Sequence, residues 1–303
     1  MAAAALSVCA CSPRVIDAVV EVGAGDAGPT DGSTGGGGKP PSDVQAGDGF
    51  EAGPKPLLLH RYSFAGGAGQ VVVPDLVAGG ASATIYNAAL SGAGYVQLPG
   101  GGAAGSAPPA YVDLPNFLVS RLTDVTIEAW VNWDGVGNAW QRVFDFGEDF
   151  SGADLDAAPR PDPADQSRDG RSYLYLTPAD IDGVLRVAYF KPEDAVPRPR
   201  GVTTRETAIH STQALPVGLR SIDVTIQGTT MSLYLGGVFV GNATLPGQLA
   251  DIYDVNCWLG RSQFPADPTF GGRFYDFRIY GVALTPQQIA ANAQLGAATP
   301  AIQ

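Results

Sequence analysis

Apolar and polar residues alternate in short runs along the chain from residue 56 onward. Period-two alternation marks half-buried strands. It recurs over 57–64, 95–98, 111–114, 125–133, 142–146, 173–177 and 184–190. It continues over 206–210, 222–227, 231–235, 238–240, 255–259 and 273–280. Within 125–133, Val125, Ile127, Ala129 and Val131 fall on one face. Thr126, Glu128, Trp130 and Asn132 fall on the other. The runs are bounded by Gly, Pro, Asn or Asp, and Pro99 and Pro115 each close one. Gly228-Thr229 and Gly236-Gly237 sit where two-residue hairpin turns belong. One helix is expected, just after the last strand. Thr285 can cap it, Pro286 suits its first position, and Gln288 completes a capping box. Strands without alternating helices predict an all-β fold of two packed antiparallel sheets.

The first 55 residues read differently. Residues 1–11 are Ala-rich and end in Val8-Cys9-Ala10-Cys11. They are similar to the tail of a bacterial lipoprotein signal peptide, without the basic residues that usually precede it. That resemblance implies lipid on Cys11, behind the small Ala10, or on Cys9, behind the bulkier Val8. A disordered Ala-rich start is the alternative. Residues 12–55 are Gly, Asp, Pro, Ser and Thr, with acidic residues spaced along them. Such composition cannot bury enough apolar surface to offset its ordering entropy, so a disordered tether is expected. No apolar run approaches the ~20 residues of a membrane-spanning helix. The domain reading is therefore 1–11 signal remnant, 12–55 linker and 56–303 a single β domain.

Charge narrows the partners. The 303 residues carry 30 Asp and Glu against 18 Lys and Arg, a net charge of −12. Nucleic acid and anionic membrane surfaces need basic patches, so neither is an expected partner. Of the three cysteines only Cys257 lies in the domain, which leaves no disulfide framework and no cysteine zinc site. Cys257 is expected to be a buried, inert thiol.

Several segments in order resemble laminin-G-like domains of the concanavalin A-like jelly-roll class. They are residues 60–64 (His-Arg-Tyr-Ser-Phe), 111–115 (Tyr-Val-Asp-Leu-Pro) and 126–131 (Thr-Ile-Glu-Ala-Trp-Val). Then come 140–147, 173–178, 230–235 (Thr-Met-Ser-Leu-Tyr-Leu) and 258–262 (Trp-Leu-Gly-Arg-Ser). Asp267 to Gly272 and Asp276 to Tyr280 complete the series. One departure is that residues 215–222 carry neither the Trp nor the His usual in the family's next strand. The resemblance implies a two-sheet antiparallel jelly-roll sandwich with one short C-terminal helix. It also implies a non-catalytic module for glycans or surface proteins. A divergent glycoside hydrolase or lyase, and a purely structural envelope protein, are the alternatives.

The residues themselves offer little catalysis. The only histidines, His60 and His210, sit in alternating strands. No Gly-x-Ser-x-Gly elbow appears. Glycosidases need a proton donor and a second carboxylate facing each other across the scissile bond. Here Glu128 stands alone in its strand, and Asp145, Glu148 and Asp149 run into a loop. Structural calcium is implied by the resemblance, with Asp276 near the start of the last strand and Asp75 in an early turn as its ligands. Calcium's alternative is that Asp276 pairs with Arg273 or Arg278. An acidic insertion at 148–171 and a basic one at 191–206 would leave one end of the sandwich and frame a binding mouth. Trp133, Trp140 and Phe150 near that end are candidate sugar-stacking residues. With a lipidated N-terminus, the domain would be displayed at the cell envelope, at the outer membrane or cell surface.

Overall fold

The strand Asp124–Trp133 (β6) organises one of two sheets. The computed structural model describes residues 58–101, 108–137, 139–148, 172–191, 206–264 and 266–298. The N-terminal segment, the tether and both insertions, apart from Glu148, Lys191 and Glu206 at their ends, lie outside the described residues. β6 pairs along its whole length with Gly218–Gln227 (β11). On its other side it pairs with Gly271–Tyr280 (β15). Leu58–Ser63 (β1) adds beyond β15, and Thr230–Leu235 (β12) and Val238–Thr244 (β13) extend the far side. Val96–Pro99 (β4) also pairs with β15, giving a seven-stranded sheet.

The second sheet has eight strands. Its order runs Thr207–His210 (β10), Arg186–Phe190 (β9), Ser172–Thr177 (β8), Phe144–Glu148 (β7) and Asn256–Leu259 (β14). Tyr111–Leu114 (β5), Ala83–Tyr86 (β3) and Val72–Val73 (β2) complete it. All the pairings are antiparallel, as the jelly roll requires.

The core lies between the sheets. Val125, Ile127, Ala129 and Val131 of β6 all face it. Phe144, Phe146, Leu174, Leu176, Val187 and Leu259 meet them from the second sheet. Cys257 is buried among them, and burial pushes its thiol well above the usual range. Such a thiol packs as a small hydrophobe and does not react.

Turn chemistry sets the registers. Gly236 and Gly237 have φ of 59° and 80°, so they form a two-residue turn whose twist matches the flanking strands. A Cβ on Gly237 would come 2.9 Å from Ala293 Cβ of the helix Pro286–Leu295 (α1). Only glycine lets that helix approach so closely. At the start of α1, Gln288 N–H donates to Thr285 Oγ1 and Thr285 N–H to Gln288 Oε1. Ile289 and Leu284 then seat the helix against Tyr280 and Tyr234 on the outer face of the first sheet.

Several strands differ from expectation, β13 for example running on to Thr244. β2 and β3, two and four residues long, are not expected from the Gly- and Ala-rich sequence around them. β11 starts at Gly218, four residues early, because Gly218 and Leu219 pair with Trp133 and Asn132. Glu148, expected in a loop, ends β7 as a buried strand residue that accepts from Ser172 Oγ at 3.4 Å.

Candidate functional site

The pleat sends alternate residues of the eight-stranded sheet outward, and the register lines them up. Thr84, Asp113, Trp258, Asp145, Tyr175, Ala188 and Ala208 form one row across the strands. This outer face carries one of two polar clusters among the described residues.

Its centre is closed. Arg142 lies 4.0 Å over the Tyr175 ring. Its Nε donates to Asp145 Oδ2 at 3.1 Å and its Nη2 to Asp267 Oδ2 at 2.7 Å. Asp145 Oδ2 also accepts from Gln263 N–H at 3.0 Å. Burial pushes the Asp145 carboxyl up to about 7, against the opposing pull of Arg142 and the Gln263 N–H. Beside it, Arg186 and Tyr173 both donate to Glu206, and Tyr175 OH reaches Glu206 at 3.4 Å. Burial first, then the Glu206 charge, raise the phenol pKa of Tyr173 and Tyr175 well above the usual value. Asp145 Oδ2 and Glu206 therefore sit in fixed hydrogen-bond sets, and the other Asp145 oxygen is buried, so neither carboxylate faces an open groove.

The β14–β5–β3 end of this face is open. Tyr86 is 42% exposed and stacks on Tyr111, with ring centroids 4.9 Å apart and planes 12° apart. Tyr111 meets Trp258 edge-on at 5.9 Å. The Arg261 guanidinium sits 4.1 Å over Trp258 and 4.8 Å over Tyr111. Stacking on two rings holds this cation in place through its flat face. Asp113 follows Tyr111 by two residues on the same face. Tyr111 and Trp258 are themselves buried, so the result is one exposed ring, Tyr86, on a buried aromatic layer with a cation at its edge.

The outer face of the seven-stranded sheet holds a second polar cluster. Glu128 is its hub. Oε1 accepts from Arg278 Nη1 and Oε2 accepts from Tyr280 OH and Asn292 Nδ2. Trp130 Nε1 also donates to Oε1. Arg278 further donates to Asp276 Oδ1 at 2.6 Å and to Ala297 O at 2.8 Å. Arg61 grips Asp276 with Nε and Nη2. Asn292 belongs to α1, so the cluster fastens the helix and the chain beyond it to the sheet. It lies under that helix and serves the fold.

The structure separates the sequence-based site residues. Trp133 faces the core at 7% exposure, its Nε1–H donating to Gln141 Oε1 at 2.9 Å. It presents no sugar-stacking face, because an inward position on the last turn of β6 leaves it no route to solvent. Trp140 is half-buried at the margin of the eight-stranded sheet, 5.5 Å from the Arg186 guanidinium. Its φ of 74° is unusual for an aromatic residue. Bonds from Trp140 N–H to Ala179 O and from Arg142 Nη1 to Trp140 O hold it there. Phe150, Cys9 and Cys11 lie outside the described residues.

Asp276 and Asp75 occupy different bonding sets. Asp75 Oδ1 accepts from Arg61 N–H and Val77 N–H, each at 2.9 Å. Its Oδ2 lies 2.7 Å from His60 Nδ1. Both Asp276 oxygens are taken by guanidinium groups. A calcium ion there would meet two arginine charges, so the donor set does not fit that metal. Arg278, together with Arg61, is the partner of Asp276. His210 likewise pairs with an aspartate, Asp180, at 3.2 Å.

Sequence reasoning passed over Tyr86, Tyr111, Trp258 and Arg261 as site residues. Three of them stand in family-like segments, 111–115 and 258–262, where alternation already put Tyr111 with Asp113 on one face. What was missing was the pairing that joins those segments.

With this geometry in place, comparison identifies the architecture. Residues 199–290 match the family model of the concanavalin A-like lectin/glucanases superfamily. Among solved structures, the fold is similar to domain 4 of AbnA, an extracellular arabinanase of Geobacillus stearothermophilus in complex with arabinotriose. That match has 17% identity and a TM-score of 0.54, covering 78% of this chain and 98% of that one. The sialidase of Trypanosoma rangeli in complex with the inhibitor DANA matches at 15% identity and a TM-score of 0.53. It covers 80% of this chain and 34% of the sialidase. The binding domain of Botulinum neurotoxin DC, in complex with rat synaptotagmin II, matches at 10% identity and a TM-score of 0.52, over 78% of this chain and 51% of that one. A search of curated proteins finds no match. Among the described residues no helix is long and apolar enough to cross a membrane.

Proposed function

On the premise of a laminin-G-like jelly roll of the concanavalin A-like class, we propose that this chain is a non-catalytic glycan-binding module. The outer face of its eight-stranded sheet is the binding surface. One observation carries the reading. The open part of that face is an aromatic platform, the exposed Tyr86 ring backed by the buried rings of Tyr111 and Trp258, with Arg261 stacked on both. The carboxylates, Asp145 and Glu206, are tied to arginines at its closed centre. Sugar rings stack their C–H faces on exposed aromatic faces, while glycosidic cleavage needs two carboxylates free to face the scissile bond. The geometry suits holding a sugar better than cutting one.

The structural neighbours named above include proteins solved with an oligosaccharide and with a sialidase inhibitor. They support a sugar ligand, and the neurotoxin domain keeps a protein partner as the competing outcome. In this proposal the module is displayed at the cell envelope through lipid on Cys11 or Cys9. A glycan array probed with the full chain, together with a reducing-sugar assay on each hit, tests the reading. Binding without release of reducing ends is expected, with Tyr86→Ala losing most of it. Turnover of a bound glycan would replace the module with an enzyme. An array with no hits would refute the sugar ligand.

A further inference from the structure

Resting on the glycan-binding reading, we infer that the platform selects a sugar unit bearing a carboxylate, a uronic acid, with Arg261 as the residue that binds the anion. Arg61, Arg142, Arg186 and Arg278 each bind a carboxylate of the chain itself. Arg261 does not. Among the described residues no carboxylate lies within ion-pair distance of it, and its contacts are the Trp258 and Tyr111 rings and the Tyr111 hydroxyl. Ring stacking occupies the face of a guanidinium and leaves its N–H edge to donate. That edge matches a carboxylate, two parallel donors to two oxygens.

The neighbours fit one sugar unit. Tyr86 extends the stack past Tyr111 and exposes 42% of its surface, a flat site for a pyranose ring one ring removed from the cation. Net charge narrows the class further. A chain at −12 repels a densely sulfated polymer, whereas a glycan with sparse single carboxylates reaches one local cation at little electrostatic cost.

The test uses the full chain and a panel of uronate-bearing oligosaccharides, each paired with its carboxyl-reduced neutral counterpart, titrated calorimetrically. At least one acidic chain should bind about tenfold tighter than its neutral twin, the difference of one charge-assisted contact. That advantage should shrink as salt rises, and the neutral twin's affinity should not. Arg261→Gln should bring the pair to parity, and Arg261→Lys should keep part of the preference, with melting curves confirming folded variants. Should Arg261→Gln not fold, the salt dependence of the unmodified chain decides. Equal affinity for acidic and reduced forms would overturn the carboxylate assignment and leave glycan binding standing. Tighter binding of a heavily sulfated oligosaccharide would overturn the class. Binding of no oligosaccharide, neutral or acidic, would overturn both readings.

Discussion

Asp223 provides a quantitative test of the cluster under α1. It pairs in register with Glu128 across β11 and β6, 1% exposed, and neither carboxylate oxygen has a hydrogen-bond partner. Two arginines, Arg61 and Arg278, already face two carboxylates, Asp276 and Glu128. A third buried negative charge has no counterpart. Burial, then the Glu128 charge, raise the Asp223 pKa well above the ordinary value, and Arg278 opposes them only partly. In the unfolded chain an aspartate loses its proton near ~3.9. Folding therefore favours the protonated form of Asp223. The stability it contributes is full below the unfolded pKa and is lost as pH rises toward the folded one. The slope is about 1.36 kcal/mol per pH unit for one proton. From pH 5 to pH 7 the loss reaches about 2.7 kcal/mol if Asp223 stays protonated throughout. Asp223→Asn keeps the shape and removes the titration. Urea unfolding followed by tryptophan fluorescence at pH 5, 6 and 7 reads the difference. All other titrations cancel between the two proteins, so the variant should gain on the parent by that amount as pH rises. Parallel stability curves would refute the buried neutral aspartate.

Three further outcomes follow from the same contacts. Arg278→Met should cost about 3–5 kcal/mol in urea unfolding, because Glu128 and Asp276 lose their shared buried cation; a loss below ~1 kcal/mol would mean the cluster does not fasten the helix. Calcium or a chelator should leave the melting temperature unchanged, since Asp276 is held by Arg61 and Arg278; a calcium-dependent rise would restore the metal. For the proposed envelope anchor, replacing Cys9 and Cys11 together by Ser should move the protein from membrane to soluble fractions, and unchanged partition would remove the anchor.

Strand order and face were legible where alternation was long. β6 placed Val125, Ile127, Ala129 and Val131 inward as its pattern implied. The cap of α1 was legible because Thr285, Pro286 and Gln288 act within one turn. The opposite face of β6 misled. Thr126, Glu128 and Trp130 look solvent-facing in a two-sheet sandwich, yet all three are buried. The helix that covers them comes some 160 residues later, as the 2.9 Å bond from Asn292 to Glu128, 164 positions apart, makes plain. The platform was hidden for a related reason. Tyr86, Tyr111 and Trp258 come from three strands separated in sequence and meet only through non-local pairing. Tyr86 sits on a four-residue strand that follows a stretch of Gly, Ala and Ser, which hides its alternation. Local periodicity reports which way a side chain points and not what the rest of the chain lays over it.

The most direct test of the central claim is to locate the ligand. Backbone amide shifts of the full chain, titrated with an oligosaccharide that the array selects, give the location residue by residue. The account predicts that the shifts concentrate at 84–86, 111–113 and 258–262, and that Tyr86→Ala abolishes them. Shifts confined to the face under α1, or to the margin around Trp140 with the platform unmoved, would contradict it.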